Sequence, residues 1–466
     1  MQGVAAMRIV VFILLSLMSL VGAREWSVDL ILKQETFSQG EISPDERALV
    51  WIKRTPDFSA NRFRTDVFLT RAVGDSFETI QLTRSGKARD PRWSPDGRWI
   101  AFLSSRDLPS GKYKGKDQVW LLNTGGGEPF PLTQLENGVK SVAWLNPHTV
   151  VFTAREEKTF YERERKKQQD DARVVEDTTL FWPVRLFAVD INTRAIRRLT
   201  TNRYQIKEFA PSPDGRWIVY SLQTSPITAD ARHQPRQFLL DVNTGTEREI
   251  FAEQYLDPSD FKWRSDSRGF YAWDEHSSDP WNEGAGIFLL FYYDIPHQAY
   301  ETVPLHWKNG VGFAGFSVAG TGVHVQLADG PRYHARYYWK DNTGWHFTDV
   351  QDIRLRHATS VLTSRAGHRI VFVYSRPNVP PRYYWANYTN GKITGARECI
   401  SLNPFLQELP QPKAEVITWK GARGETVNGI LYYPLHYKPG RRYPLMVVIH
   451  GGPSGVDLDA WRQDWV

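Results

Sequence analysis

The sequence predicts an all-β protein whose larger part is a seven-bladed β-propeller. Three observations lead to this prediction: a turn motif found in seven copies, their regular spacing, and a composition of 18 Trp, 20 Tyr, 24 Phe, 34 Gly and 28 Pro in 466 residues. Aromatic residues interrupted by Gly and Pro favour short strands separated by turns. Successive motif copies lie about 50 residues apart, which accommodates four strands with their loops, the content of one propeller blade.

The turn motif is clearest in two copies. Residues 94–102 read Ser-Pro-Asp-Gly-Arg-Trp-Ile-Ala-Phe, and residues 212–220 read Ser-Pro-Asp-Gly-Arg-Trp-Ile-Val-Tyr. Pro at the second position and Gly at the fourth indicate a type I turn, and the apolar residues that follow suit a half-buried strand. Weaker copies lie at residues 43–51, 145–152, 265–273, 318–325 and 364–374. The propeller is therefore assigned to residues 24–410.

The first 23 residues have the pattern of a signal peptide. Arg8 precedes an apolar run from Ile9 to Leu20, and the small residues Val21-Gly22-Ala23 follow. The run is about 12 residues long, whereas a membrane span needs roughly 20. We expect cleavage after Ala23, export to the periplasm or the outside, and no stable membrane association afterwards. An uncleaved membrane anchor is the alternative.

Charge and cysteine content exclude some functions. A formal net charge of +6 with scattered Lys and Arg does not indicate nucleic-acid binding. The one wide gap between motifs contains a charged insertion, residues 155–177, for which a solvated helix is favoured over a docking surface. Cys399 is the only cysteine, so an intrachain disulfide is impossible, and we interpret it as a small buried residue. His spacing indicates no metal site, and no cofactor is expected.

The pattern changes after Pro412. Residues 415–419 and 426–434 are predicted as two strands joined by a Gly-containing turn. Residues 445–449 form a continuous apolar run, which predicts a strand buried on both faces of an α/β sheet. The run leads into His450-Gly451-Gly452-Pro453, which suits a loop whose backbone approaches a ligand closely.

These C-terminal motifs resemble the opening of the catalytic domain in the prolyl oligopeptidase family. The matching segments are residues 428–434, Tyr443-Pro444-Leu445 and His450-Gly451-Gly452-Pro453, and the acylaminoacyl-peptidase and dipeptidyl-peptidase-like branch is the most similar. The resemblance implies that residues 411–466 are the N-terminal fragment of an α/β-hydrolase peptidase domain. It also implies a serine peptidase that hydrolyses short peptides by Ser-His-Asp acyl transfer, with the propeller limiting access.

In an α/β-hydrolase the nucleophile lies on a Gly-x-Ser-x-Gly elbow, with Asp and His later in the chain. No such motif follows Ile449, so the catalytic Ser, Asp and His are expected beyond Val466. This chain by itself is expected to be inactive, with its last 50 residues poorly held. By resemblance, His450, Gly451 and Gly452 contribute half of an oxyanion hole, with the Gly451 N–H as the favoured donor.

Two alternatives stay open. The first is that the two glycines of this loop serve only to permit a tight turn after a strand. The second is that the chain belongs to a non-catalytic periplasmic binding propeller of the Tol type, because such propellers carry similar Ser-Pro-Asp-Gly turns and a fold does not determine function. Oligomeric state and substrate preference are not predicted.

Overall fold

The computed structural model describes residues 25–156, 158–170, 181–225, 227, 236–252, 256–276, 286–451 and 455–462. The predicted signal peptide lies outside these residues, as do residues 171–177 of the insertion, and Gly452 and Pro453 of the loop. The described chain is mostly strand, as an all-β protein requires. Its α-helices are α1 (Val28–Leu32) and α2 (Phe160–Lys167), and 3₁₀ turns span Ile353–His357 and Pro404–Glu408. None of these helices has the length and apolar character needed to cross a bilayer.

The strands up to Ile400 are arranged in consecutive antiparallel groups of four, here called units. Unit 1 contains β1 (Thr36–Ile42), β2 (Ala48–Asp57), β3 (Arg62–Val73) and β4 (Ser76–Gln81). Unit 2 contains β5 (Ala88–Trp93), β6 (Trp99–Ser104), β7 (Gln118–Asn123) and β8 (Phe130–Pro131). Unit 3 contains β9 (Val139–Asn146), β10 (Thr149–Arg155), β11 (Val184–Asp190) and β12 (Ile196–Arg198).

Unit 4 contains β13 (Gln205–Pro211), β14 (Trp217–Gln223), β15 (Arg236–Asp241) and β16 (Glu247–Ile250). Unit 5 contains β17 (Ser259–Trp263), β18 (Gly269–His276), β19 (Ile287–Asp294) and β20 (Ala299–Thr302). Unit 6 contains β21 (Val311–Ala319), β22 (Gly322–Asp329), β23 (Arg332–Asp341) and β24 (Gly344–Asp349). Unit 7 contains β25 (Ala358–Thr363), β26 (Arg369–Arg376), β27 (Val379–Thr389) and β28 (Lys392–Ile400). One bridge merges units 3 and 4, and another merges units 5 and 6.

Each copy of the sequence motif lies at the turn between the first and second strands of a unit. In unit 2, the Ser94 hydroxyl donates to Asp96 (2.6 Å) and accepts from the Trp99 N–H (2.9 Å). In unit 4, the Ser212 hydroxyl accepts from the Trp217 N–H at the same distance of 2.9 Å. The serine therefore holds the two strands together across the turn, as expected for a local side-chain to backbone bond.

Tryptophan side chains connect neighbouring units. The indole N–H of Trp93 donates to the Glu41 carbonyl (3.1 Å), and that of Trp144 donates to the Arg92 carbonyl (3.0 Å). The indole N–H of Trp263 likewise donates to the Ala210 carbonyl (2.9 Å). In each case the indole lies on the first strand of one unit and the carbonyl on the first strand of the unit before it. The first strands of consecutive units lie side by side, and β25 of unit 7 also contacts β1 of unit 1.

Units 1 and 7 meet at a side-chain seam. One apolar cluster joins the two units, and its members include Leu49, Trp51, Phe68, Val371, Val373, Tyr383, Trp385 and Cys399. Cys399 is 5% exposed, which confirms its interpretation as a buried residue. Each of the two units takes all four of its strands from one stretch of chain, so the described strands form no ladder across the seam. Strand pairing among the described residues therefore does not close the predicted seven-bladed propeller into a ring.

The charged insertion forms the predicted helix over α2. Thr159 and Glu162 form a capping box at its start, which satisfies N–H groups that have no partner within the helix. Glu162 also pairs with Arg155 at the end of β10, and Lys158 pairs with Glu136 at 3.1 Å. The charges of this segment thus tie the helix to unit 3 as well as facing water.

Candidate functional site

The C-terminal part begins with a separate hairpin of β29 (Ala414–Lys420) and β30 (Thr426–Tyr432). Ala414 pairs with Tyr432 and Lys420 with Thr426, in unbroken antiparallel register. The two strands predicted after Pro412 are thereby confirmed. The hairpin reaches unit 6, where the side-chain amide of Asn428 lies 3.3 Å from the position that a Cβ on Gly330 would occupy.

Three tyrosines shape the chain after the hairpin. The rings of Tyr433 and Tyr437 are 4.6 Å apart, and those of Tyr437 and Tyr443 are 5.5 Å apart. The Tyr443 hydroxyl accepts a hydrogen bond from the Lys438 N–H (3.0 Å), and the Lys413 ammonium lies 4.4 Å from the centre of the Tyr433 ring. Because each ring packs against the next, the loop between the hairpin and residue 444 is folded on itself.

The strand predicted at residues 445–449 is wrong for this structure. These residues form no strand, and their side chains are exposed, with Leu445 at 75% and Ile449 at 85%. A strand needs a neighbour to pair its N–H and C=O groups, and here the two-stranded hairpin is not extended by a third strand. The apolar run therefore lies in solvent.

Of the predicted oxyanion loop, His450 and Gly451 are described, and both are exposed. Gly452 lies outside the described residues. A Cβ placed on Gly451 would meet nothing within 4 Å, and the backbone φ of this residue is not in the left-handed region. Gly451 therefore is not needed for a left-handed turn, and its N–H makes no hydrogen bond to any other described residue. Among the described residues, no hydrogen bond or ion pair joins His450 or Gly451 to an acidic, basic or nucleophilic side chain.

Within the last 50 residues, which were expected to be poorly held, the expectation is wrong for the segment that follows the loop. Asp459 is 2% exposed, and its N–H donates to the Pro331 carbonyl (2.7 Å). The Trp461 N–H donates to the Ser375 hydroxyl (3.1 Å), and the Trp461 ring lies 5.9 Å from that of Trp26. Residues 459–461 thus pack on units 6 and 7 although residues 445–451 do not.

A group of charged residues on the first strands was not predicted from the sequence. The Glu208 carboxylate accepts from the Asp260 N–H (3.1 Å), and burial, with the Asp260 carboxylate nearby, raises the pKa of Glu208 to about 7. The Glu41 carboxylate accepts from the Trp93 N–H (2.8 Å), and burial raises the pKa of Glu41 although Arg92 opposes this shift. Glu41, Arg92 and Glu208 each lie two to four positions before a serine of the turn motif. The repeat therefore contained a signal that charged residues recur on the first strands.

Arg92 of unit 2 also interacts electrostatically with Asp260 of unit 5, which is far away in the chain. The Lys262 ammonium pairs with Asp260 at 2.7 Å and donates to the Phe316 carbonyl of unit 6 at 2.7 Å. The first strands therefore bring charges from several units to one place. Within the described ranges, no group of three or more His, Cys, Asp or Glu could hold a metal ion.

Comparisons with known proteins find peptidases among the similar chains. No protein-family model matches the chain. It is 23% identical over 444 residues to the uncharacterized peptidase YuxL of Bacillus subtilis, covering 89% of this chain and 64% of that protein. It is 22% identical over 460 residues to the lasso peptide isopeptidase AtxE2 of Asticcacaulis excentricus, covering 89% of this chain and 55% of that protein. The chain thus spans less than two thirds of the length of these curated relatives.

Solved structures share the fold. Acylaminoacyl peptidase of Pyrococcus horikoshii matches with a TM-score of 0.68 at 15% identity, covering 94% of this chain and 64% of that one. The β-propeller domain of the trilobed protease from Pyrococcus furiosus matches with a TM-score of 0.53 at 13% identity, covering 80% of this chain and 97% of that one. Such low identities show likeness of fold alone.

Fold and relatives together define the class that this chain resembles: it is mostly β, its relatives include peptidases, and its sheets are arranged as in solved peptidase structures. Within that class, the relatives support the prolyl oligopeptidase family, and the resemblance found in the sequence motifs is confirmed.

Proposed function

We propose that this chain is the N-terminal portion of an exported serine peptidase that hydrolyses short peptides by acyl transfer. The observation that carries the proposal is the order of parts: consecutive four-stranded units, then the β29–β30 hairpin, then the exposed His450-Gly451 loop. In an α/β-hydrolase, a loop after an early strand supplies one oxyanion donor, and the residue after the nucleophile supplies the other. Gly451, whose N–H has no partner among the described residues, is suited to the first role.

The nucleophile, its base and the orienting acid would be supplied by residues after Val466. An oxyanion donor has nothing to stabilise until a nucleophile attacks a carbonyl and a tetrahedral intermediate forms. The chain up to Val466 alone would therefore not cleave peptides. In a longer protein, loss of one such donor is expected to lower kcat by about 10²–10³.

The seven units are proposed to be the blades of one propeller ring that limits access to the catalytic centre. Support comes from the contacts between first strands. Each first strand contacts the first strand of the next unit, and β25 of the last unit contacts β1 of the first. Across the seam, Glu46 accepts from the Ser364 hydroxyl (2.5 Å) and the His368 N–H (3.1 Å). The propeller of the trilobed protease is described as having an open velcro topology. By analogy, this ring would close through side chains, with the charged first strands lining its axis.

The proposal is tested first by the DNA downstream of the codon for Val466. A Gly-x-Ser-x-Gly motif within about the next 100 codons is expected, because a hydrolase domain of this kind needs roughly 200 further residues. An in-frame stop in a finished genome would instead favour the non-catalytic binding propeller. The proposed export is tested separately by N-terminal sequencing of the protein from its natural host. Arg24 is the expected first residue, and retention of residues 1–20 would contradict export with cleavage.

A further inference from the structure

The turn between β22 and β23 is the place where the C-terminal part of the chain meets unit 6. Three separate contacts converge on its four residues, 329–332. Asn428 of the hairpin lies against Gly330, the Pro331 carbonyl accepts the Asp459 N–H, and the Arg332 guanidinium reaches the Asp459 carboxylate. Val456 lines a small cavity next to the same turn. Along the chain, the loop with His450 and Gly451 lies between Asn428, which makes the first contact, and Asp459, which makes the other two.

Asp459 is the most deeply buried charge in this contact. A carboxylate removed from water is strongly destabilising unless a cation and hydrogen-bond donors surround it. The Nε of Arg332 donates to its Oδ2 at 2.7 Å, and the His357 Nδ1 lies 3.0 Å from the Asp459 carbonyl oxygen and 3.5 Å from Oδ2. With its own N–H bonded to Pro331, Asp459 is satisfied on backbone and side chain alike.

His357 acts in this arrangement as a neutral donor. Burial lowers the pKa of His357, and the positive charges of Arg376 and Arg332 act in the same direction, against the Asp459 carboxylate. A neutral imidazole with its proton on Nδ1 donates to the Asp459 carbonyl, so the charge of Asp459 is balanced by Arg332. The two side chains therefore hold different atoms of the same residue.

Asp459 follows Gly451 by eight residues, a span of at most about 29 Å when fully extended. A fixed Asp459 therefore restricts where the loop can lie relative to the units. The other end of the loop is fixed by the tyrosine stack and by the hairpin. Together with the bond from the Trp461 N–H to Ser375, the contact at Asp459 holds the chain on the C-terminal side of the loop.

We propose that Arg332 and His357 are positioning residues, which clasp Asp459 and thereby tie the segment carrying His450 and Gly451 to the propeller-like units. The clasp itself is a property of the chain described here. Its effect on catalysis rests on the proposed function, because only a protein with a nucleophile can report it.

Hydrogen exchange of the chain tests the clasp without any assay of activity. Arg332→Gln removes the cation and Asp459→Asn removes the charge that it pairs with. Arg356→Gln is the matched control, because Arg356 pairs with Asp329 of the same turn (3.2 Å) and does not pair with Asp459. We expect the amides of residues 457–462 to exchange at least tenfold faster in the first two variants and at the parental rate in the control. Exchange in β10 and β14 reports whether the units stay folded.

Unchanged protection of residues 457–462 in Arg332→Gln would overturn the clasp. Equal loss in Arg356→Gln would also overturn it, because the effect would then belong to the turn as a whole. Retention of most of the protection in Arg332→Lys is expected, since the positive charge stays close to the carboxylate. Loss of protection in that variant equal to the loss in Arg332→Gln would contradict a charge-based clasp.

The longer protein tests the positioning role. Arg332→Gln is expected to lower kcat about tenfold with KM changed less than twofold, and Arg332→Lys to restore most of the rate. A parental kcat in a variant that has lost protection of residues 457–462 would overturn positioning. If the unsubstituted longer protein hydrolyses no peptide, the proposed function fails, while the exchange experiment still decides whether the clasp exists.

Discussion

Gly97 and Gly215 occupy equivalent places in the two best copies of the turn motif, but their surroundings differ. Both have left-handed backbones, with φ of +74° and +72°. A Cβ on Gly97 would meet nothing within 4 Å, whereas one on Gly215 would lie 2.7 Å from the Leu145 carbonyl oxygen of the preceding unit. Gly97 is thus required by conformation alone, and Gly215 by conformation and by close contact between units.

We predict that Gly215→Ala destabilises the protein more than Gly97→Ala. A non-glycine residue in the left-handed conformation costs roughly 1–2 kcal/mol, and the free energy of unfolding of both variants should fall by this amount. Gly215→Ala must in addition displace the backbone at Leu145, and so its loss should exceed that range. Urea unfolding of the two variants gives both free energies. Equal losses would show that the contact between units 3 and 4 is loose at this turn.

The half-buried Glu208 makes stability depend on pH. Its folded pKa of about 7 lies above the ordinary value of 4.5, so between these values the folded state binds more protons than the unfolded state. Stability should therefore fall as pH rises from 4.5 to 7. The groups near Glu208 are Asp260, Asp257 and Lys207, and the two carboxylates act in the same direction as burial.

Glu208→Gln is predicted to remove this dependence. The amide oxygen can still accept from the Asp260 N–H but carries no charge. At pH 8 the variant should be more stable than the parent by up to about 3 kcal/mol, since each pKa unit corresponds to about 1.4 kcal/mol. Urea midpoints of the parent and of Glu208→Gln at pH 5 and pH 8 measure this gain in stability, with the exposed Glu78→Gln as control. A gain of the same size at both pH values would contradict the assigned pKa.

At the scale of elements, the turns and the four-stranded units were predictable because their determinants are local. The Ser94 hydroxyl bonds residues only two and five positions away, so nine residues of sequence contain the whole interaction. The charged group on the first strands was not predictable in this way. Arg92 and Asp260 are brought together by the packing of units, and their positions before a motif serine do not show which charges meet.

The candidate loop was predicted only in part. The motif ending in His450-Gly451 gave its position in the chain, and the hairpin before it formed as expected. The apolar run at residues 445–449 indicated burial, but burial needs a partner surface that the described chain does not place against it. The clasp at Asp459 was missed, because Arg332 and His357 lie more than a hundred residues earlier in the chain.

Ile449→Ser is predicted to leave stability within about 0.5 kcal/mol of the parent, because an exposed side chain contributes little. The same change at the fully buried Ile370 should destabilise unit 7 by several kcal/mol, through a lost apolar contact and an unpaired hydroxyl. Ile449→Ser should also reduce self-association, which light scattering detects. A large loss of stability in Ile449→Ser would show that the apolar run is packed in solution.

At the scale of the whole molecule, Cys399 reports on the seam between units 1 and 7. Burial raises the pKa of the Cys399 thiol to about 12, so the native protein should resist alkylation near neutral pH. Tyr383 packs on Phe37 across the seam, with ring centres 5.4 Å apart. Loss of this ring should let the units separate and expose the thiol.

We therefore predict faster alkylation of Cys399 in Tyr383→Ala than in the parent, under conditions where both are folded. Tyr220→Ala is the matched control, since Tyr220 stacks on Phe238 within unit 4. Each change should cost about 3–5 kcal/mol, the usual range for removal of a buried aromatic ring. Similar alkylation rates in the two variants would indicate global unfolding instead of opening at the seam.

Labelling with a serine-directed phosphonate tests the proposal that this chain contributes an oxyanion loop while the nucleophile lies after Val466. Residues 24–466 and the longer protein that the proposed function requires are treated in parallel, labelled peptides are mapped by mass spectrometry, and hydrolysis of aminoacyl and N-acyl-aminoacyl substrates is followed. We expect one labelled serine, located after residue 466, and activity only in the longer protein. Phosphonate-sensitive hydrolysis by residues 24–466 alone, with the label on a serine of this chain, would contradict it.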